Sequence, residues 1–158
     1  MPVLQPISCT RPAASESNRK LHYAPDTFAV VAVLAVTASD ADWSNLQHLF
    51  NLSRWKLARC RGMAEARDVL LTSAVPTVLC DAALPDGDWK GLVEFLSCFR
   101  NPPRVIVMSN LADDPLWDSV LNMGAYDLLE KPLRGAELYR SVSDAWRGWK
   151  LETVRAAL

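Results

Sequence analysis

From Phe28 onward, runs of apolar residues alternate with stretches in which apolar residues recur every three or four positions. The apolar runs are short and rich in valine and leucine, as strands buried on both faces of a parallel sheet are. The intervening stretches have the period of amphipathic helices. This alternation occurs five times, and it is typical of βαβ units built around a parallel sheet.

The pattern predicts five strands and five helices. The strands are expected at 28–36, 55–59, 77–80, 104–108 and 125–129. The first helix is expected to be capped by Asp40 or Asp42, and the others to lie at 63–73, near 89–99, at 113–123 and from 134 onward. Because crossover connections are right-handed, we predict an α/β, doubly wound (βα)5 fold with a flavodoxin-like strand order of 2-1-3-4-5.

The chain divides into three parts by composition. Residues 1–27 are rich in proline, serine, arginine and asparagine and lack a sustained period, so they are expected to form a flexible leader. Residues 28–150 form the folded domain, and 151–158 extend its last helix. Hydrophobic residues make up 50% of the chain and charged residues 22%, a balance typical of one folded domain rather than a disordered chain.

Charge and cysteine spacing narrow the classes of function. The formal net charge of -1 argues against a basic nucleic-acid surface. No apolar run approaches the roughly 18–20 residues of a membrane helix, and the first residues lack the pattern of a secretory signal, so we expect a cytoplasmic protein. The four cysteines include no Cys-x-x-Cys pair, which disfavours a zinc knuckle or dense disulfide scaffold and favours reduced thiols.

The residues just after the predicted strands share the edge of the sheet where ligand sites of parallel sheets lie. They are Thr37, Ala38, Ser39 and Asp40 after the first strand, Asp81 after the third, Ser109 and Asn110 after the fourth and Lys131 after the fifth. Each residue alone has an ordinary explanation as a turn, cap or surface residue. Together, a carboxylate, a hydroxyl and an ammonium at one edge indicate a functional site.

Five segments in a fixed order resemble a response-regulator receiver domain over about 29–149. They are Val78-Leu79-Cys80-Asp81, Leu84-Pro85-Asp86-Gly87, Val105-Ile106-Val107-Met108-Ser109, Gly124-Ala125-Tyr126-Asp127 and Lys131-Pro132. The resemblance implies that Asp81 accepts a phosphoryl group from a phosphohistidine of a sensor kinase or phosphotransfer protein. It also implies that Ser109 donates to the phosphoryl oxygens, that Lys131 pairs with the acceptor, and that the Lys131-Pro132 peptide is cis.

The residue types suit that chemistry. A carboxylate is a nucleophile that yields an acyl phosphate, an ammonium offsets the charge of the transferring group, and a hydroxyl rotates to donate to a new oxygen. A domain of this kind is a signalling module, so we do not expect an enzyme. Another hypothesis is an α/β enzyme with Cys80 or Asp81 as its nucleophile. It is disfavoured because the sequence offers no histidine base for such a site and no glycine-rich phosphate loop.

The sequence departs from the receiver pattern after the first strand. Receivers carry two adjacent acidic residues there, which hold Mg²⁺ with the acceptor, whereas this chain has Thr37 and Ala38. We therefore expect Mg²⁺ binding to be weak or absent, with Asp81 as a weak ligand. Asp40 is a candidate further ligand if a bent loop turns it back toward Asp81. Leu128 stands where receivers carry their switch aromatic, and whether Tyr126 replaces that aromatic stays open.

These residues favour a stand-alone receiver in a phosphorelay that accepts a phosphoryl group on Asp81 weakly or conditionally. The alternative is a pseudo-receiver, a protein-interaction adaptor that works without phosphorylation. The expected partners are a sensor histidine kinase or phosphotransfer protein and a downstream protein. Trp117, Tyr126 and Trp146 suggest an interaction face on the fourth helix, fifth strand and fifth helix, which could also form a homodimer; the other interpretation is that these aromatics complete the core.

Overall fold

A computed structural model describes residues 31–157 of the chain. The predicted leader, the first positions of the first predicted strand and Leu158 lie outside the described residues. The strands are β1 (Ala32–Val36), β2 (Lys56–Cys60), β3 (Thr77–Asp81), β4 (Ala83–Leu84), β5 (Gly87–Asp88), β6 (Arg104–Ser109) and β7 (Asp127–Glu130). The helices are α1 (Asp40–Asn51), α2 (Met63–Thr72), α3 (Trp89–Leu96), α4 (Asp114–Met123) and α5 (Gly135–Ala157).

Five of the strands form one parallel sheet in the order β2-β1-β3-β6-β7. β4 and β5 are two-residue strands of a separate antiparallel hairpin. Without that hairpin, the observed order is the predicted 2-1-3-4-5, so the doubly wound, flavodoxin-like fold is confirmed. The chain order reverses between β1 and β3, and this reversal places the carboxyl ends of those two strands beside one crevice.

The sheet is covered on both faces, and its central strands serve both layers. In β1, Leu34 and Val36 pack into the layer that contains α2, α3 and α4, whereas Val33 and Ala35 pack into the layer that contains α1 and α5. Every residue of β1 is buried. Neighbouring residues of a strand point to opposite faces, so a continuously apolar strand is what a sheet covered on both sides requires.

Two helix ends show which residues cap them. Gly124 ends α4 in the left-handed region, with φ of 91°, a conformation that glycine adopts readily at the end of a helix. The prediction that Asp40 or Asp42 caps α1 is wrong, because Ser39 is the N-cap and its side chain accepts a hydrogen bond from the backbone N–H of Asp42 at 3.2 Å. Both aspartates therefore lie in the first turn of the helix with their carboxylates free for other contacts.

The cysteines differ in state. Cys60 and Cys80 are free and buried, and burial raises the pKa of the Cys60 thiol to about 12. Cys98 is disulfide-bonded, so the expectation of reduced thiols is wrong at that residue.

In the described part of the chain, no helix combines the length and apolar character that a membrane span needs.

A carboxylate from the loop after β3 fixes the start of α2. Asp86 accepts hydrogen bonds from the backbone N–H of Met63 at 2.8 Å and of Ala64 at 3.1 Å. These backbone bonds lower the pKa of Asp86 from its usual 3.8. The preceding residue is Gly62, where an added Cβ would lie 2.7 Å from Oδ1 of Asp86. The absence of a side chain at Gly62 therefore leaves room for the cap.

Gly62→Ala is expected to lower the midpoint of thermal unfolding, because the new Cβ displaces the Asp86 carboxylate from α2. The same change in an Asp86→Ala background should cost much less, since the clash partner is gone. Because the pKa of Asp86 is lowered on folding, its contribution is present above pH ~4 and is lost as the pH falls through the lowered value. Thermal melts near neutral and acidic pH of the wild type, Gly62→Ala, Asp86→Ala and the double variant measure both the clash and its pH dependence.

Gly148→Ala is the matched control. It lies inside α5, where an added Cβ would find its nearest neighbour at an ordinary 3.8 Å. Alanine there should raise stability, by about 0.5–1 kcal/mol from helix propensity. If Gly62→Ala lowered the stability by the same amount in the Asp86→Ala background, the contact with Asp86 would not be the reason that position 62 needs glycine.

Candidate functional site

Asp81 is the last residue of β3 and is 6% exposed. Its strand lies between β1 and β6, with Cys80 opposite Val36 and Asp81 opposite Met108. The carboxylate therefore stands at the carboxyl edge of the sheet, beside the point where the strand order reverses. This is where the sequence placed it.

Lys131 follows β7 and reaches the same point. Its backbone N–H donates to the carbonyl oxygen of Ser109 at 2.8 Å, and the following Lys131-Pro132 peptide is cis, as predicted. The ammonium nitrogen lies 2.8 Å from Oδ1 of Asp81 and 2.6 Å from Oδ2 of Asp42. One ammonium thus lies between two carboxylates, one from the sheet and one from the first turn of α1.

The two carboxylates hold Lys131 differently. Its ammonium hydrogen-bonds Asp42, whereas its contact with Oδ1 of Asp81 is an ion pair outside hydrogen-bond geometry, and that buried oxygen has no hydrogen-bond donor among the described residues. Burial alone would lower the pKa of Lys131, but the close contacts and negative charges of Asp42 and Asp81 outweigh it and raise the pKa above its usual 10.5. Lys131 is therefore held as a cation.

Asp40 does not turn toward Asp81. Its Oδ1 pairs with the guanidinium groups of Arg59 at 3.0 Å and Arg61 at 3.2 Å, and its side chain is 78% exposed. The hydrogen bond from Arg59 and the charges of both arginines lower the pKa of Asp40. The sequence offered Asp40 as a further metal ligand, and the structure instead brings Asp42, which sequence reasoning treated as a cap, to the site.

Thr37 and Ala38, the two residues directly after β1, bring no carboxylate to this pocket. Thr37 is fully buried, and its hydroxyl oxygen accepts a hydrogen bond from the backbone N–H of Ser39 at 3.2 Å. Ala38 has no ligand atom in its side chain, and both nearby carboxylates are already paired with Lys131. Among residues 31–157, no group of three or more histidine, cysteine, aspartate or glutamate side chains could hold a metal ion. Mg²⁺ prefers several oxygen ligands in octahedral geometry, whereas the two carboxylates of this pocket both contact an ammonium.

Ser109, the last residue of β6, is tied into its own loop. Its hydroxyl donates to the carbonyl oxygen of Leu111 and accepts from the backbone N–H of Leu111, both at 3.1 Å. The serine backbone, rather than its side chain, contacts Lys131. Donation from this hydroxyl to a new group on Asp81 would require these loop bonds to exchange.

Cys80 lies beside Asp81 but inside the core. It is fully buried and belongs to the layer containing α2 and α3. Burial raises the pKa of its thiol, so the thiol stays protonated at neutral pH. A protonated, inaccessible thiol is a poor nucleophile, which weighs against the enzyme hypothesis that used Cys80.

A groove of about 560 Å³ lies beside α4, β7 and α5. Trp117 lines it together with Lys131, Pro132, Arg134 and Arg140. Of the three aromatic residues suggested for the interaction face, Tyr126 and Trp146 are not among the residues that line this groove. Tyr126 is 40% exposed, whereas Trp146 packs against the layer formed by α1 and α5, with the Lys150 ammonium 5.0 Å from its ring centroid. Leu128, at the position of the switch aromatic, is buried.

The chain is similar in structure to several known proteins, although the sequence comparisons found no match. No protein-family model matches the chain, and no curated protein does. A signal receiver domain of an HD domain-containing protein from Pseudomonas fluorescens Pf-5 is 24% identical, with 78% of this chain and 92% of that one covered and a TM-score of 0.72. A signal receiver domain of a signal transduction histidine kinase from Syntrophus aciditrophicus is 23% identical, covering 75% and 92%, with a TM-score of 0.65.

A third solved structure is a CheY-like response regulator receiver domain protein from Methanospirillum hungatei JF-1. It is 16% identical, covers 78% of this chain and 98% of its own, and has a TM-score of 0.68. At such low identities the likeness establishes the fold. The chain has the fold of response-regulator receiver domains, and the recognition made from five short segments is confirmed at that level.

Proposed function

We propose that this chain is a receiver module of two-component signalling, which accepts a phosphoryl group on Asp81 weakly or conditionally. The observation that supports it best is the ion pair between Asp81 and Lys131, 2.8 Å apart at the reversal point of a receiver fold. A buried carboxylate beside a cation at this edge is suited to attack a phosphoryl donor. The chain would act in the cytoplasm as a signalling module rather than an enzyme.

The proposed transfer uses the residues of the pocket as follows. An Asp81 oxygen attacks the phosphorus of a phosphohistidine on a sensor kinase or phosphotransfer protein. The P–N bond breaks, its electron pair stays on the imidazole nitrogen of the donor, and the carboxylate becomes an acyl phosphate. Lys131 already pairs with Asp81, and it would offset part of the incoming charge without moving far.

Two features of the pocket support slow transfer. Thr37 and Ala38 supply no carboxylate for a divalent cation, and the single positive charge of Lys131 is shared between Asp42 and Asp81. Metal-assisted neutralisation of phosphoryl groups contributes several kcal/mol, and each ~1.4 kcal/mol is tenfold in rate. The pseudo-receiver alternative is favoured by the same shared lysine, because an internal ion-pair network needs no phosphoryl group to be complete.

The groove beside α4, β7 and α5 is the surface that we propose for a downstream protein or a second copy of the chain. It combines an aromatic side chain, Trp117, with the charged side chains of Glu130, Arg134 and Arg140. Tyr126 adds an exposed aromatic near the start of β7. Aromatic and arginine side chains are the residue types that protein interfaces favour.

Exposure to phosphoramidate is expected to label the wild-type protein slowly and incompletely, and Asp81→Asn is expected to abolish the label. Intact-mass spectrometry under mild conditions measures the added phosphoryl group. Asp118→Asn, a change at an exposed aspartate of α4, is the matched control and should label like the wild type. Equal labelling of Asp81→Asn would exclude Asp81 as the acceptor, and no label on any variant would favour the pseudo-receiver.

A further inference from the structure

Lys131 has a second carboxylate partner that the proposed transfer does not use. Asp42 approaches the ammonium more closely than Asp81 does, at 2.6 Å against 2.8 Å, across a sequence separation of 89 residues. The Lys131 side chain is only 11% exposed, and that of Asp42 is 29% exposed. The contact therefore joins the start of α1 to the loop after β7 at the edge of the pocket.

The loop after β1 places Asp42 for this contact. The Thr37 hydroxyl accepts from the backbone N–H of Ser39, and the Ser39 hydroxyl accepts from the backbone N–H of Asp42, each at 3.2 Å. These two bonds fix the first turn of α1, which is further held by the buried Leu46 and Phe50. The polar residues after β1 thus support a turn that directs a carboxylate onto the lysine.

Asp40 shows that this direction is specific. It lies in the same turn of α1 and carries the same group, yet its carboxylate pairs with Arg59 and Arg61 outside the pocket. Asp42 alone of the two contacts Lys131. The pair supplies an internal comparison, because the same substitution at each position removes the same charge from the same turn.

We propose that Asp42 is a positioning residue that restrains Asp81 by holding Lys131 and by keeping a negative charge beside the acceptor. Two carboxylates and one ammonium leave the pocket with one uncompensated negative charge. A dianionic phosphoryl group on Asp81 would add to that charge with the same single cation present. Removing the Asp42 charge frees the lysine for the incoming group and relieves the repulsion. This inference rests on the proposed function for its effect on transfer.

The first test compares phosphoramidate labelling of wild type, Asp42→Asn and Asp40→Asn. In the step, an Asp81 oxygen bonds to phosphorus, the P–N bond breaks and the protonated nitrogen leaves as ammonia. Asp42→Asn is expected to label about tenfold faster than wild type, since a charged hydrogen bond to Lys131 is lost. Asp40→Asn should stay near the wild-type rate, and Asp42→Glu, which keeps the carboxylate, should stay closer to wild type than Asn does. A folding defect would not speed labelling.

The second test needs no phosphoryl transfer. Trace acylation of lysines with an amine-reactive ester, read residue by residue by peptide mass spectrometry, reports how firmly Lys131 is held. Its acylation rate, relative to that of Lys90 in the same molecule, is expected to rise about tenfold in Asp42→Asn and to be unchanged in Asp40→Asn.

The two readouts separate the two proposals. Equal Lys131 acylation in Asp42→Asn and Asp40→Asn would overturn the inference whatever the label does. Faster acylation with no label on any variant would leave Asp42 as the holder of Lys131 but overturn Asp81 as acceptor. Faster acylation with unchanged labelling of a protein that does label would overturn the restraint on transfer.

Discussion

Lys131→Met is expected to lower the free energy of unfolding by about 2–3 kcal/mol. The substitution leaves the carboxylates of Asp42 and Asp81 facing each other without the ammonium that lies 2.6 and 2.8 Å from them. Removing one partner of a fully buried pair costs about 3–5 kcal/mol. The smaller value is expected here because the Asp42 side chain is 29% exposed and water can solvate it in the variant.

Urea unfolding at neutral pH measures this loss, with Lys90→Met, a change at an exposed lysine of α3, as the control for removing one positive charge. Lys131→Met/Asp81→Asn should recover part of the stability, since one of the unpaired carboxylates is then neutral.

Because the pKa of Lys131 is raised on folding, its contribution is present below pH 10.5 and is lost as the pH rises through the raised value. Lys131→Met should lack that alkaline loss. A Lys131→Met protein as stable as Lys90→Met would contradict the ion-pair network.

Restoring the acidic pair is expected to have the largest effect on transfer. The labelling rate of the wild type should change little with Mg²⁺, because the pocket lacks ligands for it. Thr37→Asp/Ala38→Asp should make labelling depend on Mg²⁺ and raise its rate roughly 100-fold at saturating metal, as the several kcal/mol of metal neutralisation become available. The loop can accept aspartate at position 37, because a carboxylate oxygen there can still accept a hydrogen bond from the backbone N–H of Ser39, as the Thr37 hydroxyl does.

The matched control is Thr37→Asn/Ala38→Asn, which has the same shape without the charges. It should label as slowly as the wild type, with or without Mg²⁺. Thr37 is fully buried, so a melting curve of each variant confirms that the proteins compared are folded. Strong Mg²⁺ dependence in the wild type, or no gain in the folded aspartate variant, would contradict the explanation by missing ligands.

Much of the fold could be predicted from the sequence because its central strands are unambiguous. The run ending at Val36 and the run just before Asp81 are apolar at successive positions, and both strands prove to be buried on both faces. The start of β7 was predicted two residues early, at 125 rather than at Asp127. Ala125 instead donates its N–H to the carbonyl oxygen of Val120 at the end of α4, a tertiary detail that hydrophobic pattern does not contain.

The sequence predicts the site residues that lie at the ends of strands. It does not predict the contacts that depend on the direction of a helical side chain. Asp81 and Lys131 come together because parallel strands end at one edge. Asp40 and Asp42 are two residues apart in one helical turn, so they point to different sides, and the sequence does not say which side faces the sheet. In the structure Asp40 pairs with Arg59 and Arg61, whereas Asp42 faces Lys131.

Trp146 illustrates the same difficulty on α5. Its position beside the apolar stripe is compatible with exposure or with burial, and the sequence left open whether it belongs to the interaction face or completes the core. In the structure it packs against the layer that contains α1, under Lys150. The rotation of α5 about its axis, set by Leu138, Val142 and Ala145 in the core, decides which neighbour of the stripe meets solvent.

The most direct test of the account is a crystal structure of the wild-type protein grown with Mn²⁺, with anomalous scattering recorded at the manganese edge. We expect the Lys131 ammonium to lie within hydrogen-bonding reach of both Asp42 and Asp81, with no manganese peak in that pocket. A manganese ion bound to an Asp81 oxygen, with Lys131 displaced from between the two carboxylates, would contradict it.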